Sequence, residues 1–347
     1  MRIALIAPPF IPVPPTNYGG TELFIGELAL GLKALGHEVV VYSNGESTVP
    51  VERRWIYPAS EWPIKGEVYD SLKDINHTAW AIRDAAPDCD LIHLNNAPGL
   101  VHSRFLSTAF VYTIHHPHDD GLSSFYQYYP DVNFVTISHF QRHLENLPRI
   151  HTVHHGLNLG KYQLTETKQP YVAFIGRIAP VKGTHLAIAA AKKAGVPLKI
   201  AGEVQPMFRD YFNREIEPHI DDKEVTYIGE AGLAAKNDLL GNALAMLFPI
   251  EWDEPFGLVM IEAMACGTPV LAMPGGSVPE IVKDGVSGFV CRSVDEMAAR
   301  IPEAGRFQPR EVRAYAERMF SLDHMVRQYA DLYQDILVQQ VKQRAIA

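Results

Sequence analysis

Two stretches of the chain repeat one pattern of apolar and polar positions. In the first, the apolar run RIALIAPPF precedes the proline- and glycine-bearing IPVPPTNYGG, then TELFIGELALGLKALG, then a second apolar run, HEVVVYS. In the second, YVAFIG precedes RIAPVKG, THLAIAAAKKAG and VPLKIAG. Each reads strand, loop, helix, strand, with the helix stopped at Gly36 or Gly195. Continuously apolar strands joined by crossover helices predict a parallel sheet covered on both faces. DLIHLN, FVYTIH, FVTIS and HTVHHG add strands before residue 160, and VTYIGE, AMLFPI and TPVLAMP add them after it. The expected class is α/β, with two doubly wound domains over residues 1–160 and 170–320. The boundary falls in the polar stretch NLGKYQLTETKQP, and EVRAYAERMF and SLDHMVRQYADLYQDILVQQV read as closing helices, the last over 321–347.

A length of 347 residues suits two such domains, and 47% apolar with 20% charged residues is ordinary for a globular protein. A formal net charge of −9 disfavours a nucleic-acid partner. Three cysteines without a CxxC pair point to a reducing compartment and no disulfide framework. No apolar run is long enough to span a bilayer, and MRIALIAPPF, short and cut by prolines, reads as no signal peptide. Residues 1–150 carry ten Lys and Arg against sixteen Asp and Glu, a balance that repels anionic lipid. A cytoplasmic protein acting on a soluble partner is expected.

Open α/β sheets bind ligands at the carboxyl ends of their strands. Neither first loop carries GxGxxG with a following acid, or a P-loop. Gly19 and Gly20 stand just before a helix that starts at Thr21, where backbone amides can face an anion or simply close a tight turn. In the second loop Arg177 follows the strand directly, and Lys182 stands beside Gly183 at a helix start; two cations and a helix N-terminus there suit a pyrophosphate. Glu254 and Glu262 bracket PFGLVMIEA. LVMIEAMAC reads as a helix, which gives the amides of Phe256, Gly257 and Leu258 to a ligand oxygen. Carboxylates in so apolar a segment need partners or a use. The pair reads as hydroxyl anchors at two ends of an elongated ligand, such as a nucleotide-sugar.

EPFGLVMIEAMACGTPV, with FIGRIAPVKG before it and YGGTE near the start, resembles the retaining glycosyltransferases of family 4, the group 1 glycosyltransferases, which have the GT-B fold of two Rossmann-like domains facing across a cleft. The resemblance covers nearly the whole chain and implies an acceptor domain at 1–160, a nucleotide-sugar donor domain at 170–320, and a last helix passing back toward the first domain. It implies that Glu254 holds hydroxyls of the donor sugar, Glu262 the ribose, and Arg177 and Lys182 the diphosphate. It also implies that Gly19 and Gly20 lie beside the phosphate and acceptor, and that Gly229, Glu230 and Leu233 lie against the base. Such enzymes place a histidine at the reacting sugar. FVYTIHHPHDD offers His115, His116 and His118, of which His115 best matches the position. A metal site using these with Asp119 and Asp120 is the weaker reading, because adjacent ligands crowd one another.

The implied reaction is glycosyl transfer to a hydroxyl of a small-molecule or saccharide acceptor with retained anomeric configuration. Arg177, Lys182, His115 and Glu254 then act at the reacting centre. The donor is UDP-glucose in the first instance and GDP-mannose in the second. No cofactor or metal is expected: Asp88-Cys89-Asp90 matches a DxD motif in letters but precedes a strand. The alternatives are a nucleotide-sugar epimerase, a hydrolase with two carboxylates, and a non-catalytic nucleotide-binding module.

Overall fold

The computed structural model describes residues 1–16 and 19–346, with side chains described through 342; Tyr18 of YGGTE lies outside the described residues. The chain forms two compact units, one of Met1–Gly156 with Leu322–Ala347, the other of Leu157–Ser321. The first holds β1 (Arg2–Ile6), β2 (Glu38–Tyr42), β3 (Glu52–Arg54), β4 (Leu91–Leu94), β5 (Ala109–Ile114), β6 (Asn133–Thr136) and β7 (Ile150–Thr152). Its sheet runs β3-β2-β1-β4-β5-β6-β7, parallel throughout. The second holds β8 (Gln169–Ile175), β9 (Leu198–Ala201), β10 (Val225–Tyr227), β11 (Ala243–Phe248), β12 (Val270–Ala272) and β13 (Gly288–Val290). Its order is β10-β9-β8-β11-β12-β13, again parallel. Strand order reverses between β1 and β4 in one sheet and between β8 and β11 in the other, and crevices at such reversals receive ligands.

Alternate residues of β1 face opposite cores: Ile3 and Leu5 pack with the first helix, Gly20–Ala34, and Ala4 and Ile6 pack with Val68–Ala85. The second helix carries no apolar stripe to announce it, because its buried face is Lys73, His77, Thr78, Ala81, Ile82 and Ala85. Strands β3 and β13 are three residues each and too short to show alternation. HTVHHG, expected as a strand, is one only to Thr152.

The chain leaves the first unit after Gly156, so all of NLGKYQLTETKQP belongs to the second unit rather than linking two bodies. Leu157 bridges to Ser321, so the two crossing points lie side by side. The last helix, Leu322–Ile346, then joins the first unit through Met325, Val326, Tyr329, Tyr333 and Ile336. Its tyrosines are fixed by polar bonds as well as packing. His93 of β4 joins Tyr333 at 2.7 Å and Thr113 of β5 at 2.8 Å, and Thr113 joins Tyr329 at 3.0 Å. Burial pushes His93 down to about 3, so its ring stays neutral.

Candidate donor site of the second unit

The strand reversal of the second sheet brings together the loops after β8 and β11. Gly183, in the left-handed region at φ 72°, makes the join possible: a Cβ there would lie 1.9 Å from the carbonyl oxygen of Pro249. The amide of Glu251 also donates to the carbonyl of Val181 at 2.9 Å. Lys182 is thereby held against Glu254, its Nζ 2.5 Å from Oε2. Trp252 closes the cluster from both sides. Its indole N–H donates to the same Glu254 oxygen at 2.8 Å, and its ring lies under the Lys182 ammonium at 4.4 Å.

Burial lowers the pKa of Lys182 from its ordinary value; Glu254 opposes the shift and Arg177 reinforces it. Arg177 is half-buried, with its guanidinium 5.6 Å from the Phe208 ring centroid, and its buried Nε has no partner among the described residues. The cluster therefore holds two cations and one carboxylate at the carboxyl end of a parallel sheet.

The helix Leu258–Ala265 begins beside this cluster, with Gly257 at φ 84° as its N-cap. Leu258, at the first helical position, has no intrahelical acceptor for its amide. Phe256 is buried. The loop after β12 braces the approach: Ser277 donates its amide to the Glu254 carbonyl at 2.9 Å and its hydroxyl to the Phe256 carbonyl at 2.8 Å.

Glu262 lies further along the same helix and is 2% exposed. It accepts from the Tyr162 hydroxyl at 2.8 Å and from Lys236 at 2.9 and 3.0 Å. The two glutamates are thus held by different partners in different clusters. Gly229 and Glu230 follow β10, two strand spacings (about 10 Å) from β8. Leu233 opens the helix Leu233–Asn242 and lines an open polar groove with Gln163, Asn237 and Asp238.

The other candidates belong to the first unit. Gly19, at φ 142°, caps the first helix, and a Cβ there would lie 2.9 Å from Glu22 Oε2; Gly20 is open. His115 follows β5, donates Nε2–H to Asn95 Oδ1 at 2.9 Å and stacks on His155 at 5.5 Å. Because Asn95 gives its own N–H to the Ile6 carbonyl, its oxygen must face the ring. Burial, and then His155, holds His115 well below its ordinary value. His116 is occupied by Tyr126 at 2.5 Å, and His118 by Glu145 and Asp120 at 3.1 Å. Those two rings serve local structure, which leaves His115 as the candidate at the strand end.

Trp252, Lys236, Tyr162 and Asn95 were not singled out from sequence. Trp252 stands two residues before Glu254, and Asn95 directly follows a strand, so position could have flagged both. Nothing local marks Lys236 or Tyr162, which meet Glu262 from 26 and 100 residues away.

Two parallel α/β sheets of matching strand order form an architecture of the GT-B type. Residues 161–313 match the family described as glycosyl transferases group 1, and residues 18–160 match glycosyltransferase family 4. The chain belongs to the group 1 glycosyltransferases. It is 33% identical over 180 residues to the D-inositol 3-phosphate glycosyltransferase of Mycobacterium marinum, covering 46% of this chain and 38% of that protein. For the Mycolicibacterium smegmatis protein of the same name the values are 36%, 46% and 39%, so the matches span under two fifths of these relatives. Among solved structures, AviGT4, a glycosyltransferase involved in avilamycin A biosynthesis, superposes with a TM-score of 0.71 at 25% identity, covering 97% of this chain and 98% of that one. The sucrose-phosphate synthase of Thermosynechococcus elongatus shares the fold at a TM-score of 0.81 and 19% identity, over 97% and 99%.

Proposed function

We propose that the chain transfers a hexose from a nucleotide diphosphate sugar to an acceptor hydroxyl, with retention and without a divalent cation. The observation that carries this reading is the packing of Lys182 against Glu254 and Trp252, with Arg177 close by, at the reversal of the second sheet. In the reaction the C1–O bond to the β-phosphate breaks and leaves negative charge on the diphosphate. Arg177 and Lys182 stabilise that charge as preorganised cations. The acceptor oxygen bonds to C1 on the same face, and its proton passes to the leaving phosphate oxygen. Glu254 accepts hydroxyls of the sugar once the diphosphate draws Lys182 away. Glu262 holds the ribose, the amides of Phe256, Gly257 and Leu258 support the donor, and Gly229, Glu230 and Leu233 lie against the base. The second unit is thus the donor domain.

The first unit carries the acceptor, with Gly19 and Gly20 beside it and His115 facing the sugar. A neutral His115 that gives Nε2–H to Asn95 offers Nδ1 to a sugar hydroxyl. Among the described residues no helix is long and apolar enough to cross a membrane, and a soluble acceptor in the cytoplasm fits the acidic balance of residues 1–150.

The test is a donor panel, UDP-glucose and GDP-mannose first, scored by nucleoside diphosphate release and thermal stabilisation with and without EDTA. D-inositol 3-phosphate belongs among the acceptors because the curated relatives carry its name. Stabilisation by a sugar nucleotide with release that survives EDTA is expected. A panel in which no sugar nucleotide binds overturns the reading.

A further inference from the structure

The helix Val68–Ala85 reverses the usual amphipathic arrangement, in which polar residues face water and apolar ones the core. Its inward face holds Lys73, His77 and Thr78 beside Ala81, Ile82 and Ala85. Lys73, 4% exposed, is kept there by Glu61 and by the rings of Phe10 and Tyr57, at 5.6 and 4.8 Å. The outward face is apolar: Val68 is 77% exposed, Tyr69 and Leu72 57% each, and Ile75 49%. Val68, Leu72, Ile75 and the half-buried Ala79 follow at spacings of four, three and four, the stripe that seals one helix against another. Tyr69, Ser71 and Asn76 beside the stripe are uncharged, as the centre of a protein interface is. Just before the helix, Trp62 and Ile64 are exposed as well. An apolar patch of this extent on a folded unit marks a contact surface.

We infer that this face is the interface of a two-fold dimer, its occupant a second copy of the chain. The stripe is self-complementary. About an axis midway between Leu72 and Ile75 it turns onto itself, so that in antiparallel helices Leu72 meets Ile75 of the second copy and Val68 meets Ala79. Such a contact uses the same patch on both copies and leaves no stripe free to recruit a third chain. The area suffices: Trp62, Ile64, Val68, Tyr69, Leu72 and Ile75 expose roughly 600 Å² per copy, so pairing removes about 1,200 Å², where stable interfaces begin. An anionic membrane fits the face worse. Attraction to such lipid needs outward cations, whereas Lys73 is turned inward and Glu67 and Asp70 stand at the start of the helix. Every residue of this interface belongs to the first unit, so the inference is independent of the donor role proposed for the second.

The experiment is light scattering and sedimentation velocity of the full chain over a wide dilution range. The wild type is expected at twice the chain mass, dissociating on dilution. Leu72→Glu and Ile75→Lys, both at exposed positions, should fold and weaken dimerisation by roughly thirtyfold or more, the scale of losing a central anchor. Val286→Glu, at an exposed apolar position of the second unit, should leave the mass unchanged. Cross-linking tests the direction of the pair. Under mild oxidation the double variant Val68→Cys with Ala79→Cys should form a covalent dimer. Val68→Cys alone should not, since antiparallel helices hold its two copies about 16 Å apart at a rise of about 1.5 Å per residue. The chain's own Cys89, Cys266 and Cys291 are buried and do not compete. A wild type that stays monomeric at every concentration overturns the inference, as does a dimer that both Leu72→Glu and Ile75→Lys leave intact. A covalent dimer from Val68→Cys alone overturns the antiparallel arrangement. A monomeric wild type that pellets with phosphatidylcholine vesicles, and a Leu72→Glu variant that does not, replaces the second copy with a lipid surface.

Discussion

The two sheets share one wiring and bury different chemistry at their strand ends. The first unit buries polar groups that stay neutral: His93 with Thr113, Tyr329 and Tyr333, and His115 stacked on His155 beside Phe24. The second buries charges in opposite pairs, Lys182 with Glu254 and Lys236 with Glu262. A neutral network, once satisfied, locks side chains in place and fastens the C-terminal helix. A paired charge costs desolvation that its partner only partly offsets, and it can trade that partner for an ionic or hydroxylic ligand. The first arrangement suits a surface that orients an uncharged hydroxyl. The second suits one that exchanges an internal salt bridge for a diphosphate. The first unit also buries Lys73 against Glu61, over the rings of Phe10 and Tyr57, but Lys73 lies within the helix Val68–Ala85 rather than at a strand end.

The largest expected effect separates the units by pH. His93 and His155 are lowered to about 3 and His77 to about 4, each by burial. A histidine depressed in the folded state contributes stability above its unfolded value near 6.5, and loses it as the unfolded chain takes up the proton. Each ring should cost about 2 kcal/mol at pH 5. Hydrogen exchange across pH 7 to 5 should therefore show β4, β5 and the helix Leu322–Ile346 losing protection before β8 and β11. Earlier loss in the second sheet would refute the contrast.

Next in size is Lys182→Ala, expected to lower kcat by about 2–4 kcal/mol of transition-state stabilisation while leaving free nucleoside binding nearly unchanged. The depressed pKa of Lys182 adds a sign: its ammonium is lost at lower pH than an ordinary lysine, so the rate falls on the alkaline side. Lys182→Arg should move that fall to higher pH. Unchanged turnover in Lys182→Ala would remove the lysine from the chemistry.

Smaller effects should divide the two glutamates. Glu254→Gln is expected to blur discrimination among donor sugars, and Glu262→Gln to weaken nucleoside diphosphate binding, each by about 1.5–3 kcal/mol. Their separate partners in the structure motivate the split. Equal losses of nucleoside diphosphate affinity in both would contradict it.

Much of this organisation was legible in the sequence, for identifiable reasons. Buried parallel strands are apolar without interruption, so RIALI and YVAFI declare themselves. The helix Leu258–Ala265 was legible because Gly257 and Gly267 bracket it. The helix Val68–Ala85 was not, since lysine, histidine and threonine line its buried face. Candidate site residues were marked by position, Arg177, Lys182 and Glu254 in loops after strands and Glu262 on an otherwise apolar helix. Their partnerships were not: Lys182 and Glu254 are 72 positions apart, and each had been given a separate part of the ligand. Only the tertiary contact between the β8 and β11 loops, with Pro249 against Gly183, joins them.

The smallest effect tests whether that junction is tuned by Trp252. The indole does two things at once: its N–H fixes Glu254 at 2.8 Å, and its ring face holds the Lys182 ammonium at 4.4 Å. Trp252→Phe removes the N–H and keeps an aromatic face, so it isolates the hydrogen bond. One such bond to a carboxylate is worth about 1–2 kcal/mol, offset in part because Lys182 still holds the same oxygen. The expected result is a fall of about three- to tenfold in kcat/KM, from a looser Glu254, with the alkaline limb of the rate profile unmoved because the ring still faces Lys182. Trp252→Leu removes both functions and should lower the rate further, moving that limb as well. If Trp252→Phe behaves as Trp252→Leu, the N–H alone carries the contribution and the ring face adds nothing to the hold on Lys182.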